Sequence, residues 1–316
     1  MKPVILVPII IGSVLLTTAS VFAVIGIVNN TKNNKLTTRE VVVEETFSNI
    51  DIDFDVTDVE FVKSSDGKNK IVYNERLKQT HTTEVKDGTL TLKSQDMRKW
   101  YEKLFVFNYS KISATIYLAD TTYGDVKTDL STGNVVVPGD FTFENVNFKS
   151  STGDLKFEAK VNNELKVECS TGNTYLKDVS AKNINLKAST GKEKLENVNA
   201  TETIGIEVST GNIELNNVHA KNLNTHSSTG KTTLTNSVIN EHIDIKSSTG
   251  DVKFNDSDAQ TLKIETSTGD VTGTLLTSKI FYVTTSTGKV NVPQSTTGGM
   301  CEVKTSTGDV ILSIKA

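Results

Sequence analysis

Ser-Thr-Gly occurs ten times between Ser131 and Gly308, and neighbouring copies are always 19 or 20 residues apart. A fixed period of this size marks a stacked array, in which each unit buries its apolar face only against the units above and below. The repeat glycines are Gly133, Gly153, Gly172, Gly191, Gly211, Gly230, Gly250, Gly269, Gly288 and Gly308.

Alignment on the glycine gives columns. Five residues before each Ser stand Val126, Val146, Leu165, Ile184, Ile204, Leu223, Ile243, Leu262, Phe281 and Cys301. Three before stand Phe148, Val167, Leu186, Ile206, Ile245, Ile264, Val283 and Val303, with Thr128 and Thr225 in the same column. Apolar residues at every second position define strands with one buried face. Each unit holds one strand entering Ser-Thr-Gly and another leaving it, and about 19 residues are too few for a parallel strand pair with a crossover helix. The pattern predicts an all-β, parallel β-solenoid of about ten coils, right-handed from strand twist and crossover chirality. Glycine suits a corner at positive φ, and the Ser and Thr before it bond nearby backbone. Pro138 and Pro293, each five residues after a repeat glycine, mark a second corner.

No charged residue lies between Val4 and Val28. Twenty-five helical residues span roughly 37 Å, enough for one transmembrane helix. A signal peptide ending near Val21-Phe22-Ala23 is the rival, but the apolar stretch is long and its positive flank thin. The expected organisation is a short tail (1–3), the anchor (4–28), a linker (29–40), an irregular N-terminal β cap (41–125) and the solenoid (126–316). Lys32, Lys35 and Arg39 oppose Lys2 across the anchor. Long polar domains translocate largely regardless of such charges, so the repeats are expected outside the cell membrane. The cap region alternates as strands through Phe47, Ile50, Ile52 and Phe54, and gathers Trp100, Tyr101, Phe105, Phe107 and Tyr109.

The exclusions are as informative. Of 34 basic residues only Arg39, Arg76 and Arg98 are arginines, none in the repeats, and the net charge is −4, which disfavours nucleic-acid binding. Cys169 and Cys301 fall in inward columns several coils apart, too far to bond. His81, His219, His226 and His242 occupy different columns, outward or outside the array, and suggest neither a metal site nor a base for the repeat serines. Asp154, Asp251, Asp270 and Asp309 follow a repeat glycine, but Lys192, Lys231 and Lys289 interrupt the column, so no calcium ladder is expected. No cofactor and no catalytic residue emerges. A polysaccharide-active β-helix enzyme remains the enzymatic alternative, although the repeats lack the arginines such sites use beside clustered carboxylates.

The segment Asp87–Leu92 (Asp-Gly-Thr-Leu-Thr-Leu), the passage Thr115–Val135 leading into the array, and the serial Ser-Thr-Gly-[Asp/Asn]-[Val/Ile/Leu] units resemble the bacterial putative-adhesin β-strand-repeat family over residues 40–316. The resemblance implies a β-solenoid at the cell surface and carries over no catalytic residue. It leaves two functional expectations: a non-catalytic structural, adhesive or partner-binding module, or an accessory regulatory subunit of an envelope-stress system. Beyond the bilayer, the expected contact is a protein partner or a second copy at the uncapped C-terminal end, near Val310–Ile314.

Overall fold

The structure, a computed structural model, describes residues 35–100 and 111–316. The expected anchor (4–28) and Tyr101, Phe105, Phe107 and Tyr109 lie outside the described residues. Within them, no helix is long and apolar enough to cross a membrane. The regular elements are strands, and all 26 join one continuous sheet.

The repeats stack as parallel coils in register. Strand Thr142–Thr152 lies between Thr122–Thr132 and Glu164–Thr171, with Val146 beside Val126 and Leu165. The column continues through Ile184, Ile204, Leu223, Ile243 and Leu262, all essentially inaccessible to solvent. Burying each such side chain contributes roughly 1.5–3 kcal/mol.

The ten repeat glycines form one vertical line, with φ between 143° and 157°. Positive φ is only half the requirement. A Cβ on Gly211 would sit 1.6 Å from the carbonyl oxygen of Gly191, and one on Gly230 would sit 1.8 Å from that of Gly211. The corners pack backbone on backbone, leaving no room for any side chain.

A second ladder marks the next corner. Asp178, Asn197, Asn217, Asn236 and Asp256, each six residues after a repeat glycine, adopt φ of 48–55°. Asn and Asp tolerate this left-handed region best among non-glycine residues. Their side chains also link the coils: Asn197 Nδ2 donates to Asp178 Oδ1 at 2.7 Å, and Asn217 Nδ2 to Asn197 Oδ1 at 2.9 Å.

The parallel stack begins earlier in the chain than Val126. Strands Asn49–Val56 and Asp58–Lys63 form a coil directly beneath Thr122–Thr132 and Val135–Val137. Thr57 occupies its glycine position, and its N–H donates to the Thr132 carbonyl at 2.9 Å. Below this coil lie Thr89–Asp96 and Ser113–Leu118, still parallel. Asn69–Arg76 and Gln79–Lys86 then run antiparallel, and Leu36–Val43 pairs on the first of these. Strand Leu36–Val43 therefore includes part of the segment expected to be linker, and its Arg39 belongs to the folded cap.

The far end departs from chain order. Strand Gly299–Thr307 pairs with Asp258–Thr268 on one side and Lys279–Thr287 on the other. The last coil of the chain is therefore inserted one place inward, and residues 279–298 form the spatial end. Val310–Ile314, expected as the bare edge, is paired along its length with Val271–Leu275 and is covered by Val290–Asn291 over Val310 and Ile311.

A buried ion pair accompanies this insertion. Lys279 Nζ lies 2.8 Å from Asp258 Oδ1, both side chains nearly inaccessible. Asp258 Oδ2 accepts the N–H and hydroxyl of Thr277 at 2.7 and 2.6 Å. Gly298 and Gly299 carry the chain from the terminal coil into the inserted one, and a Cβ on them would meet the Ser278 and Gln260 carbonyl oxygens at 2.0 and 1.7 Å.

Candidate functional surface

Three places concentrate polar chemistry: a network inside the cap, the ladder after the repeat glycines, and a groove on the outer face of the Ser-Thr-Gly strands.

The cap network was not expected from the sequence, which placed His81 outside the repeat array and assigned it no partner. The ring is buried, stacked on Tyr73 (4.7 Å between centroids) and met edge-on by Phe54 at 4.9 Å. Burial pushes His81 below the usual imidazole range, which keeps it neutral at pH 7. In that form Nδ1–H donates to Glu75 Oε2 at 3.1 Å, and Nε2 accepts the Thr57 hydroxyl at 2.9 Å. Burial works against ionisation of Glu75, but hydrogen bonds from Arg39 and His81 outweigh it and hold the carboxyl low. Arg39 Nε donates to Glu75 Oε1 at 2.7 Å and lies over the Tyr73 ring. A hydroxyl, an imidazole and a carboxylate in line have the order of a nucleophilic triad. Here all three are buried, with Thr57 only 1% exposed, so the array joins cap to solenoid. By contrast the His242 Nδ1–Thr261 Oγ1 contact (2.5 Å) is exposed, and none of its described hydrogen bonds brings a carboxylate to that ring.

The position after each repeat glycine is structural. Asp154 Oδ1 accepts the Asn173 N–H at 2.7 Å, Asp251 Oδ1 the Asp270 N–H at 3.2 Å, and Asp309 Oδ1 the Lys289 N–H at 2.7 Å. The aspartates hold the next coil's backbone, and Lys is accepted because its N–H is what the ladder uses. Among the described residues, no group of three or more His, Cys, Asp or Glu could hold a metal ion.

The groove crosses five coils and encloses about 480 Å³. Its floor is Gly205, which stands where other coils place Lys166, Asn185, Asn224 or Asp244. Its rim carries Glu168, Lys187, Glu207, His226 and Lys246. Lys166 pairs with Glu168 at 2.8 Å and Lys187 with Glu207 at 3.1 Å. The hydrogen bond from Lys166 draws Glu168 below the ordinary carboxylate range. The rim thus presents alternating charges to solvent and can bind a complementary polar surface. The charge ladder was legible in the sequence. The hollow was not, because a single outward glycine carries no periodic signal.

Stacked parallel coils, backbone-packed corners and a shallow polar groove define a parallel β-solenoid. The chain belongs to the Toastrack DUF4097 family, which matches residues 47–205 and 199–316. Among solved structures, a putative lipid binding protein from Parabacteroides distasonis ATCC 8503 is similar at TM-score 0.50 and 17% identity, over 77% of this chain and 95% of that one. Putative adhesins from Bacteroides fragilis NCTC 9343 (TM-score 0.46, 18% identity, 90% of this chain and 99% of that one) and Parabacteroides merdae ATCC 43184 (0.49, 18%, 78% and 98%) are also similar. At these identities the likeness concerns the fold alone. No curated protein matches the chain.

Proposed function

We propose that the protein is a non-catalytic binding module, anchored in the cell membrane by residues 4–28, that presents the solenoid outside the cell. The groove over Gly205 carries this reading. It is a broad, solvated, mixed-charge surface suited to contact, and the one in-line hydroxyl–imidazole–carboxylate array described is buried elsewhere.

The test fills the groove without disturbing a corner. Gly205 does not need a positive φ, and a Cβ there would meet only the movable end of Asn185, at 2.9 Å. Full-length protein and Gly205→Gln are incubated with washed cell envelopes, and retained protein and released reducing sugar are both measured. Retention that falls at least tenfold in Gly205→Gln, with an unchanged circular dichroism spectrum, supports the reading. Equal retention of the two proteins removes the groove from it, and sugar release above blank makes the protein an enzyme. Protease added to intact cells should digest the repeats; protection until lysis would place them inside.

A further inference from the structure

In the terminal coil, residues 279–298, the outer edge of strand Lys279–Thr287 is unpaired among the described residues. Its inward side chains Phe281, Val283 and Val292 are only partly covered, and Tyr282 and Val290 are exposed. The other end of the solenoid is closed by antiparallel strands.

Outward chemistry distinguishes this coil. Two residues before the repeat Ser, the other coils carry Asp129, Lys149, Glu168, Lys187, Glu207, His226, Lys246, Glu265 and Lys304, whereas the terminal coil carries Thr284. Four before, its inserted neighbour carries Glu302 and the terminal coil Tyr282. The exception falls on the coil that is last in space, although it is penultimate in the chain. Edge strands that must stay single are ordinarily guarded by charge, proline or a bulge. From Ile280 to Gly288 this strand has no charge and no proline.

We infer that the edge Lys279–Thr287 docks on the same edge of a second copy of this chain, as an antiparallel, end-to-end pair. A two-fold contact sets the strand against itself, so a lysine or glutamate at 282 or 284 would face like charge. Neutral Tyr282 and Thr284 remove that repulsion, and a heterologous partner would not require it.

The two-fold points the two solenoids in opposite directions. From the coil at Asn49 to the terminal coil are ten steps of about 4.8 Å, so each copy reaches roughly 50 Å from its capped end. If the anchor proposed above holds each capped end near a bilayer, the paired copies come from facing membranes.

Sedimentation velocity on the full chain in mild detergent should show a monomer–dimer equilibrium. Tyr282→Lys/Thr284→Lys should weaken it at least tenfold with an unchanged circular dichroism spectrum. Both side chains point outward, so the fold has no reason to fail. Thr284→Ser, neutral and similar in size, should dimerise as the parent does. A monomer at every concentration, or a dimer indifferent to the two lysines, overturns the inference. Phosphatidylglycerol–phosphatidylethanolamine vesicles carrying the full chain should cluster, and those carrying the double variant should not. Dimers in detergent without clustered vesicles would leave the docking in place and reject the facing-membrane arrangement.

Discussion

At the residue scale, Glu193 is the position that least suits its surroundings. It stands two after Gly191, in the inward column that holds Val135, Leu155, Ile213 and Val252. The side chain is 1% exposed, and neither carboxylate oxygen is hydrogen-bonded, although Thr174 of the preceding coil offers a hydroxyl beside it. Burial pushes its pKa to about 7. The unfolded chain releases this proton near pH 4.5, whereas the folded chain keeps it to about pH 7. The contribution of Glu193 to stability is therefore largest below pH 4.5, falls as pH rises from there to 7, and is then lower by about 3 kcal/mol, at 1.36 kcal/mol per unit. Glu193→Leu should remove this dependence. By urea denaturation it should be about 3 kcal/mol more stable than the parent at pH 8 and similar to it at pH 4. An equal difference at both pH values would mean that packing, and not ionisation, is at work. Periodicity does not isolate Glu193, because Thr174 and Thr232 stand in the same ten-unit column and its other seven residues keep it apolar.

At the scale of the element, each coil repeats the same contacts, so stability should be nearly a sum of coil terms. Deleting Asn212–Gly230 removes one coil and brings Ile243 onto Ile204 and Lys246 onto Glu207, an apolar match and a charge match. The product should keep its β spectrum, lose several kcal/mol, and be about 4.8 Å shorter by small-angle scattering. Loss of all soluble structure would contradict a nearest-neighbour stack. The inward columns were legible in the sequence because alternation by two repeats at a fixed period. The Asn/Asp ladder at 178, 197, 217, 236 and 256 was equally present in the sequence, but it sits in a polar column where hydropathy gives no signal. Only its φ of 48–55° reveals the corner.

At the scale of the whole molecule, what the sequence could not convey is the order of the coils. Every unit has the same inward pattern, so any coil can stack on any other, and nothing in the columns distinguishes Cys301 over Leu262 from Phe281 over Leu262. What favours the inserted order is specific: Gly298 and Gly299 let the Ser278 and Gln260 carbonyls approach, and Lys279 reaches the Asp258 carboxylate in the dry interior. Removing one partner of such a pair typically costs 3–5 kcal/mol. The cap was hidden for a related reason, since Arg39 is 36 residues from Glu75 and Thr57 is 24 from His81, and they meet only through strand pairing. Coil order can be read directly with cysteines on the outer face. Glu265 and Lys304 are register partners on adjacent strands, and Thr284 is the register partner of Lys304 on its far side. Residues 265 and 304 are thus one strand spacing apart, about 4.8 Å, whereas 265 and 284 are roughly 9.6 Å apart. A disulfide needs Cα atoms within about 6.8 Å. Under mild oxidant Glu265→Cys/Lys304→Cys should close intramolecularly and Glu265→Cys/Thr284→Cys should not, as read by mass spectrometry. Cys169 and Cys301 should not interfere, because burial raises their thiols to about 11 and about 12. The opposite result would place the coils in chain order and return the open end to Val310–Ile314.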